Sequence, residues 1–405
     1  MRGALPDMGR RHSCGARAAT SFAVARWKSR AKRRKNNAPA PRRTRVQHPP
    51  FDDVRESVTA ILTRFLQSEQ ETLAALAPEP AALSSKLEGF LEGGKCLRPM
   101  FVRAGALAAA GDLDDTTEHD IAQLGAAVEL VQAAALIHDD VLDHSPTRRG
   151  RPAIHVAATA QHEKHNLKGN AEDFGVATAV ILGDLALSLA HQLASSAFAG
   201  EADRLHFHAL CAEVMAGQYL DILNQAGAIT STDSAATSAR LVTRWKTVSY
   251  TVHRPLMIGA TRCGASPELL NALGDYALPA GEAFQLRDDL DGVFGDESAL
   301  GKSTSSDILE GKRTMLLAFT EEGSTEAERR VLEATVGNPQ ATAEEVAHVR
   351  DIMESTGARE SVEGLIRTRE DNARDVVARE LSTLTSRNAC ELLDSLVRQL
   401  ARTGR

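Results

Sequence analysis

Between residues 121 and 143 the chain is apolar almost without a break, and it closes on three aspartates. Ala126, Ala127, Val128, Leu130, Val131, Ala133, Ala134, Ala135, Leu136 and Ile137 leave no polar face wide enough for a surface helix. A helix of this kind must be the central element of its domain. Asp139, Asp140 and Asp143 then stand where the buried helix reaches an opening. On a helix, Asp139 and Asp143 share one face at i, i+4, a spacing at which like charges repel. Carboxylates held that way need a cation. A dense oxygen set suits Mg²⁺, which uses few carboxylates and completes its shell with water and phosphate oxygens. The bland alternative is a solvated helix end carrying incidental acids.

A second stretch, Phe284-Gln-Leu-Arg-Asp-Asp-Leu-Asp291, repeats the arrangement, with Asp288 placed 149 residues after Asp139. Each cluster is followed by basic residues: Arg148, Arg149 and Arg151 after the first, Lys302, Lys312 and Arg313 after the second. Carboxylates interleaved with cations make physical sense when a multiply anionic group bridges them. A diphosphate meets both needs, because metals take some of its oxygens and Arg/Lys take others. Gly93-Gly-Lys95, followed by Arg98 and Pro99, is a third basic element. Its glycines permit close backbone approach, and Lys95 and Arg98 can face one anion from a helix start.

The rest of the chain supplies a scaffold. Apolar residues recur at helical spacing from Val54 to Leu66 and again through most later segments, with no alternating strand pattern. Aromatic residues are only 4%, which favours helices packed through small and aliphatic side chains over a sandwich or barrel. The expected fold is all-α: one helical bundle over residues 51–405 around a deep central apolar cavity. Residues 87–91 are expected to be a short apolar turn, residues 161–174, 226–235 and 292–306 loops, and residues 358–401 helical throughout.

Residues 1–50 carry fourteen Lys/Arg against the single acid Asp7, so the net charge of −7 leaves the remainder near −20. A basic, Pro-containing segment of this kind is expected to be a disordered extension; a transit peptide or a basic arm are the alternatives. The acidic body argues against a nucleic-acid partner. The five cysteines show no metal-ligand spacing and fit reduced thiols in a cytoplasmic protein. No run of about 18 uninterrupted apolar residues is present, so no transmembrane segment is expected.

With these three elements in this order, the chain resembles the trans-type isoprenyl diphosphate synthases over residues 85–320. Gly93-Gly-Lys-Cys-Leu-Arg-Pro99 resembles the family's G-G-K-x-x-R-P, and Asp139-Asp-Val-Leu-Asp143 its first D-D-x-x-D motif. Arg148-Arg149 falls where paired arginines follow, Lys246-Thr247 resembles the K-T element, and Phe284 to Asp289 the second motif. The resemblance implies Mg²⁺-dependent head-to-tail prenyl transfer in a homodimer. Two or three Mg²⁺ held by Asp139, Asp140, Asp143, Asp288 and Asp289 would bind an allylic diphosphate, helped by Arg148, Lys246 and Lys302, with Lys312 a further substrate-binding residue. Isopentenyl diphosphate would be held without metal by Lys95, Arg98 and Arg149, with Gln132 as a further candidate. Thr247 and Gln285 are suited to offer oxygen dipoles to an allylic cation. One departure stands out: the fifth position of the second motif is Gly292. Asp291 is one place early, about 100° round the helix, and Asp296 is the candidate to act from the following loop.

Product growth is expected along the helix preceding Asp139, where one turn spans about 5.4 Å, close to one isoprene unit. Ala134 and Ala135 leave open the layer at which aromatics stop growth at fifteen carbons in the family, and Leu130 and Val131 form the next layer. The expected product is the twenty-carbon geranylgeranyl diphosphate, a longer polyprenyl chain being the main alternative. A terpene cyclase would want an aromatic-rich pocket, and a non-catalytic subunit would have lost the acidic or basic residues.

Overall fold

The computed structural model describes residues 50–296 and 304–400. The basic extension and Lys302 lie outside the described residues. Helix α1 (Pro50–Ala74) leads to α2 (Ala81–Leu91), α3 (Leu97–Ala110) and α4 (Asp115–Leu142). Asp114 starts α4 by accepting a hydrogen bond from the Thr117 amide, which satisfies one of the free donors of the first turn. As its composition requires, α4 is the axis of the bundle: α1, α2, α3, α5 (Ile154–Lys164), α6 (Ala171–Ala194), α7 (Glu201–Gln225) and α9 (Arg254–Arg262) all pack on it. Leu124, Ala126, Ala127, Val128, Leu130, Val131 and Ala134 have no exposed surface.

From Ala235 to Arg262 the chain is helical without interruption. α8 (Ala235–Val242) passes into an eleven-residue π-helix, Thr243–His253, and then into α9 (Arg254–Arg262). The widened turn places Lys246 and Thr247 at the middle of this long element. α10 (Pro267–Phe294) begins with a Ser266 cap and proline in its first turn, and it carries the second acidic stretch at its C-terminal end. Beyond it come α11 (Ser306–Leu309), α12 (Met315–Gly323), α13 (Glu326–Thr335), α14 (Ala343–Ser355), α15 (Ala358–Val376) and α16 (Arg387–Leu400). Residues of α11 to α15 build a smaller core in which Leu286, Leu290 and Val293 of α10 pack with Met315, Leu316, Val349 and Val362, while Leu393, Leu396 and Leu400 of α16 join the main core.

Several expectations need correction. Residues 87–91 are the end of helix α2, not an isolated turn. The loop expected over residues 161–174 shrinks to 165–170, because α5 and α6 extend into it and pack on one another. The last helical stretch continues from α15 through a short π segment, Val377–Leu381, and breaks at residues 385–386 before α16. Strand structure is present after all, as a two-residue antiparallel ribbon between α4 and α5, β1 (Thr147–Arg148) and β2 (Arg151–Pro152). Two helices, Asp115–Leu142 and Ala171–Ala194, are long and apolar enough to cross a membrane by length and composition. The first is enclosed by the bundle. The second buries one face and exposes Phe174, Val176, Val180 and Ile181 on the other.

Candidate active site

The C-terminal end of α4 delivers Asp139, Asp140 and Asp143 to one end of the bundle, and each is already held by a cation. The β1–β2 ribbon turns through Arg149 and Gly150, both with left-handed backbone (φ 52° and 70°), the conformation a two-residue hairpin requires. This turn sends neighbouring arginines to different places. Arg148 Nε donates to Asp140 Oδ1 at 2.9 Å, and its Nη2 donates to the same oxygen. Arg149 Nη1 instead donates to the Phe90 and Glu92 carbonyls at the end of α2, both at 3.1 Å.

Asp139 Oδ1 accepts from Lys246 Nζ at 3.1 Å and from Gln218 Nε2 at 2.8 Å. Lys246 also donates to Asp221 Oδ2 at 2.6 Å. The approach is possible because Gly217 of α7 faces the π-helix: a Cβ there would lie 2.3 Å from the Lys246 amide nitrogen. Lys312 Nζ sits 3.7 Å from Asp143, 3.2 Å from Asp307 and 2.9 Å from Glu310, and so ties the end of α4 to the segment after α10. On α10, Gln285 accepts from Thr247 Oγ1 at 2.5 Å and donates to Asp289 at 2.7 Å. Asp289 is buried and Asp288 exposed.

Burial and like charge govern protonation here. Burial acts to raise the Asp139 carboxyl, but Lys246, Lys312 and Arg148 outweigh it and hold the group below its ordinary value. Burial, reinforced by the Asp139 charge, pushes Asp143 up to about 7. Burial likewise raises Asp289 to about 8, with Asp288 and Asp307 adding to the effect and Gln285 opposing it. Carboxylates raised in this way are short of positive charge.

Among the described residues, no three carboxylate, imidazole or thiol side chains converge as a closed metal centre. The donor set is instead open, which fits an ion that takes one or two carboxylates and completes its shell with water and phosphate. Asp140 supports the fit, since its Oδ2 is buried with no hydrogen-bond partner while Oδ1 is taken by Arg148.

Beside this acidic end lies a cavity of about 630 Å³ lined by Lys95, Arg98, Gln132, Arg148, Arg149, Phe284 and Asp288, among others. Arg98 stacks 4.2 Å over the Tyr250 ring and donates to Thr251 at 2.8 Å, while its buried Nε has no partner. Tyr250 also donates to Gln132 Oε1 at 2.7 Å. Glu129, buried, lines the same cavity, and burial raises its carboxyl despite the nearby Arg98 and Arg149. The described candidate metal ligands and diphosphate-binding residues thus fall in one region, the acidic end and the basic cavity meeting at Arg148 and Asp288. Leu130, Val131, Ala134 and Ala135 are in the adjoining core and do not line this cavity. Asp291 lines it as well, and Asp296 is exposed past the end of α10.

Gln218, Asp221, Asp307 and Glu310 escaped the sequence reading. Gln218 and Asp221 lie at i, i+3 on an amphipathic helix, where such residues pass for a solvated face. The available signal was Asp221 itself, an acid on the Val214-Gly217 side of α7, which is buried.

The Polyprenyl synthetase family model matches residues 80–353, more than half of the chain. A geranylgeranyl pyrophosphate synthase from Corynebacterium glutamicum, solved with isoprenyl diphosphate and magnesium, is 34% identical with a TM-score of 0.80, over 87% of this chain and 99% of that one. A (2E,6E)-farnesyl diphosphate synthase from Mycobacterium tuberculosis is 30% identical over 74% of this chain and 77% of its own length. A geranylgeranyl diphosphate synthase from Saccharolobus solfataricus is 26% identical over 75% of this chain and 82% of its own. The chain belongs to the polyprenyl synthetase family.

Proposed function

We propose that the protein is a prenyltransferase that condenses isopentenyl diphosphate head-to-tail with allylic diphosphates, giving a linear all-trans prenyl diphosphate of twenty carbons. The observation that carries this reading is the position of Arg148: it pairs with Asp140 at the acidic end and also lines the basic cavity. Two anion sites, one made for a metal-bound diphosphate and one made of bare cations, thus share a wall. Incubation with labelled isopentenyl diphosphate and each allylic primer tests it, with chain-length analysis of the product.

Asp139, Asp140, Asp143, Asp288 and Asp289 would hold two or three Mg²⁺ ions, which neutralise charge on the departing diphosphate. Lys246 and Arg148 add fixed positive charge on the same side. Lys95, Arg98 and Arg149 bind and orient the second diphosphate, with the Gln132 amide beside them. Thr247 and Gln285 offer oxygen dipoles where allylic positive charge develops, in a setting that excludes water. Lys312 is held by three carboxylates, so its role is to keep the two acidic ends in register as much as to meet substrate.

Small residues at Ala134 and Ala135 favour a product longer than fifteen carbons, with Leu130 and Val131 as the layer that ends growth. A homodimer is supported by the exposed apolar side chains of α6 and α7, among them Ile181 on α6 and Leu205, Tyr219 and Ile222 on α7. The domain reading, a basic extension before one synthase domain in a cytoplasmic protein, is part of the same proposal.

A further inference from the structure

The basic cavity holds a carboxyl at odds with an anionic ligand. Glu129 lies on α4 one turn before Gln132, and both line the cavity with Lys95, Arg98 and Arg149. Glu129 is 5% exposed, whereas the other acids of the lining, Glu92, Asp288 and Asp291, are exposed or half-buried. Among the described residues, no hydrogen bond or ion pair reaches its carboxyl. The arginines that feel its charge are held by other groups: Arg98 by Thr251 and the Tyr250 ring, Arg149 by the Phe90 and Glu92 carbonyls. Glu129 therefore braces neither guanidinium. A buried carboxylate without a partner is costly, and an entering diphosphate adds like charge beside it. Burial favours the protonated form, and Arg98 and Arg149 do not reverse that. A protonated carboxyl is a hydrogen-bond donor. Its neighbour on the helix is prepared in the same sense: Gln132 Oε1 accepts from Tyr250 at 2.7 Å, which leaves the amide nitrogen to donate.

We propose that Glu129 is a substrate-binding residue that acts in its neutral form, donating a hydrogen bond from its carboxyl O–H to the diphosphate held in the basic cavity, beside the Gln132 amide. A carboxylic acid kept neutral by its surroundings serves as a donor where a carboxylate would repel the ligand. This rests on the reading of the cavity as the metal-free isopentenyl diphosphate site. Helix α4 then serves both substrates, with two neutral donors facing the basic cavity and three aspartates at its end. A Glu129 that acted as an anion, by orienting Arg98 or Arg149, would need its charge. One that only filled space would need neither charge nor proton.

The test is steady-state kinetics of the full chain with Mg²⁺ and saturating geranyl diphosphate, reading KM for isopentenyl diphosphate. Glu129→Met keeps an unbranched side chain of similar length but has no donor. It should raise that KM about tenfold or more, the scale for a lost hydrogen bond to a charged group. Glu129→Gln, which keeps a donor and carries no charge, should recover most of the loss, to within about threefold of wild type. KM for geranyl diphosphate should move by less than about threefold in both variants. An increase in Glu129→Gln as large as in Glu129→Met overturns the proposal, because the carboxylate charge is then what matters. Wild-type KM in Glu129→Met overturns it too, as do equal increases for both substrates. Circular dichroism checks folding, and Glu129→Ala takes the place of Glu129→Met if that variant is unfolded. Wild-type protein that turns over no isopentenyl diphosphate would overturn the synthase reading itself, a result distinct from any behaviour of the Glu129 variants.

Discussion

Lys246 reaches Asp139 across 107 positions of sequence, with 3.1 Å between Nζ and Oδ1, and joins the π-helical segment to the end of the central helix. Its second partner, Asp221, makes it the hub of a half-buried acid–base–acid triplet. Removing the ammonium takes away the cation that the two carboxylates share. We expect Lys246→Ala to lower kcat by about 10²–10³-fold, the range for loss of one preorganised electrostatic group. Lys246→Arg should retain more activity than Lys246→Ala. Steady-state kinetics decide the matter, and wild-type kcat in Lys246→Ala would remove Lys246 from the machinery.

The basic cavity and the acidic end make separable demands. Arg149 touches α2 carbonyls and the cavity, not the aspartates, so its loss should fall on one substrate. Arg149→Ala is expected to raise KM for isopentenyl diphosphate about tenfold or more, since a hydrogen bond to a charged group contributes about 1.5–3 kcal/mol. KM for the allylic diphosphate should change little. Equal increases in both constants would show that the two anion sites are not distinct.

Chain length is set, on this account, by the layers of α4 above Asp139. Ala134→Phe is expected to shift the product from twenty toward fifteen carbons, read by chromatography of the dephosphorylated products. The added ring enters a fully buried position, so some loss of stability, about 1–3 kcal/mol, should accompany it. An unchanged product spectrum in a folded variant would place the floor elsewhere.

His253 gives the pH dependence of stability. Burial, then Arg254, lowers its pKa from 6.5 to about 4; Glu213 opposes the shift, and His206 and Arg244 add to it. The folded form thus resists a proton that the unfolded chain accepts. The stability associated with a neutral His253 is fully present above pH 6.5 and is lost as pH falls toward 4, by about 3 kcal/mol in total. Denaturant melts of the wild type and His253→Gln across this interval should converge at low pH. A constant gap between the two from pH 7 to 4 would contradict the assignment.

What the sequence disclosed follows from what local pattern can encode. The central position of α4 was legible because an all-round apolar helix has few alternatives, and the aspartate triplet was legible because such a run rarely ends in charge. The α5 segment lacks a clean apolar stripe, and it is helical because α6 packs along it. The π-helix around Lys246 leaves no mark in hydrophobic spacing. Asp307 was illegible for a different reason. Its place beside the site comes from Lys312, which it shares with Asp143 at 3.2 and 3.7 Å, a tertiary relationship that no spacing rule contains.

The account stands most directly on one incubation: purified chain, labelled isopentenyl diphosphate, dimethylallyl, geranyl or farnesyl diphosphate in turn, with and without Mg²⁺. The predicted result is a linear twenty-carbon prenyl diphosphate from every primer, formed only with the metal and lost in Asp139→Asn. Absence of incorporation from any primer in the presence of Mg²⁺, or a cyclic hydrocarbon as product, would contradict it.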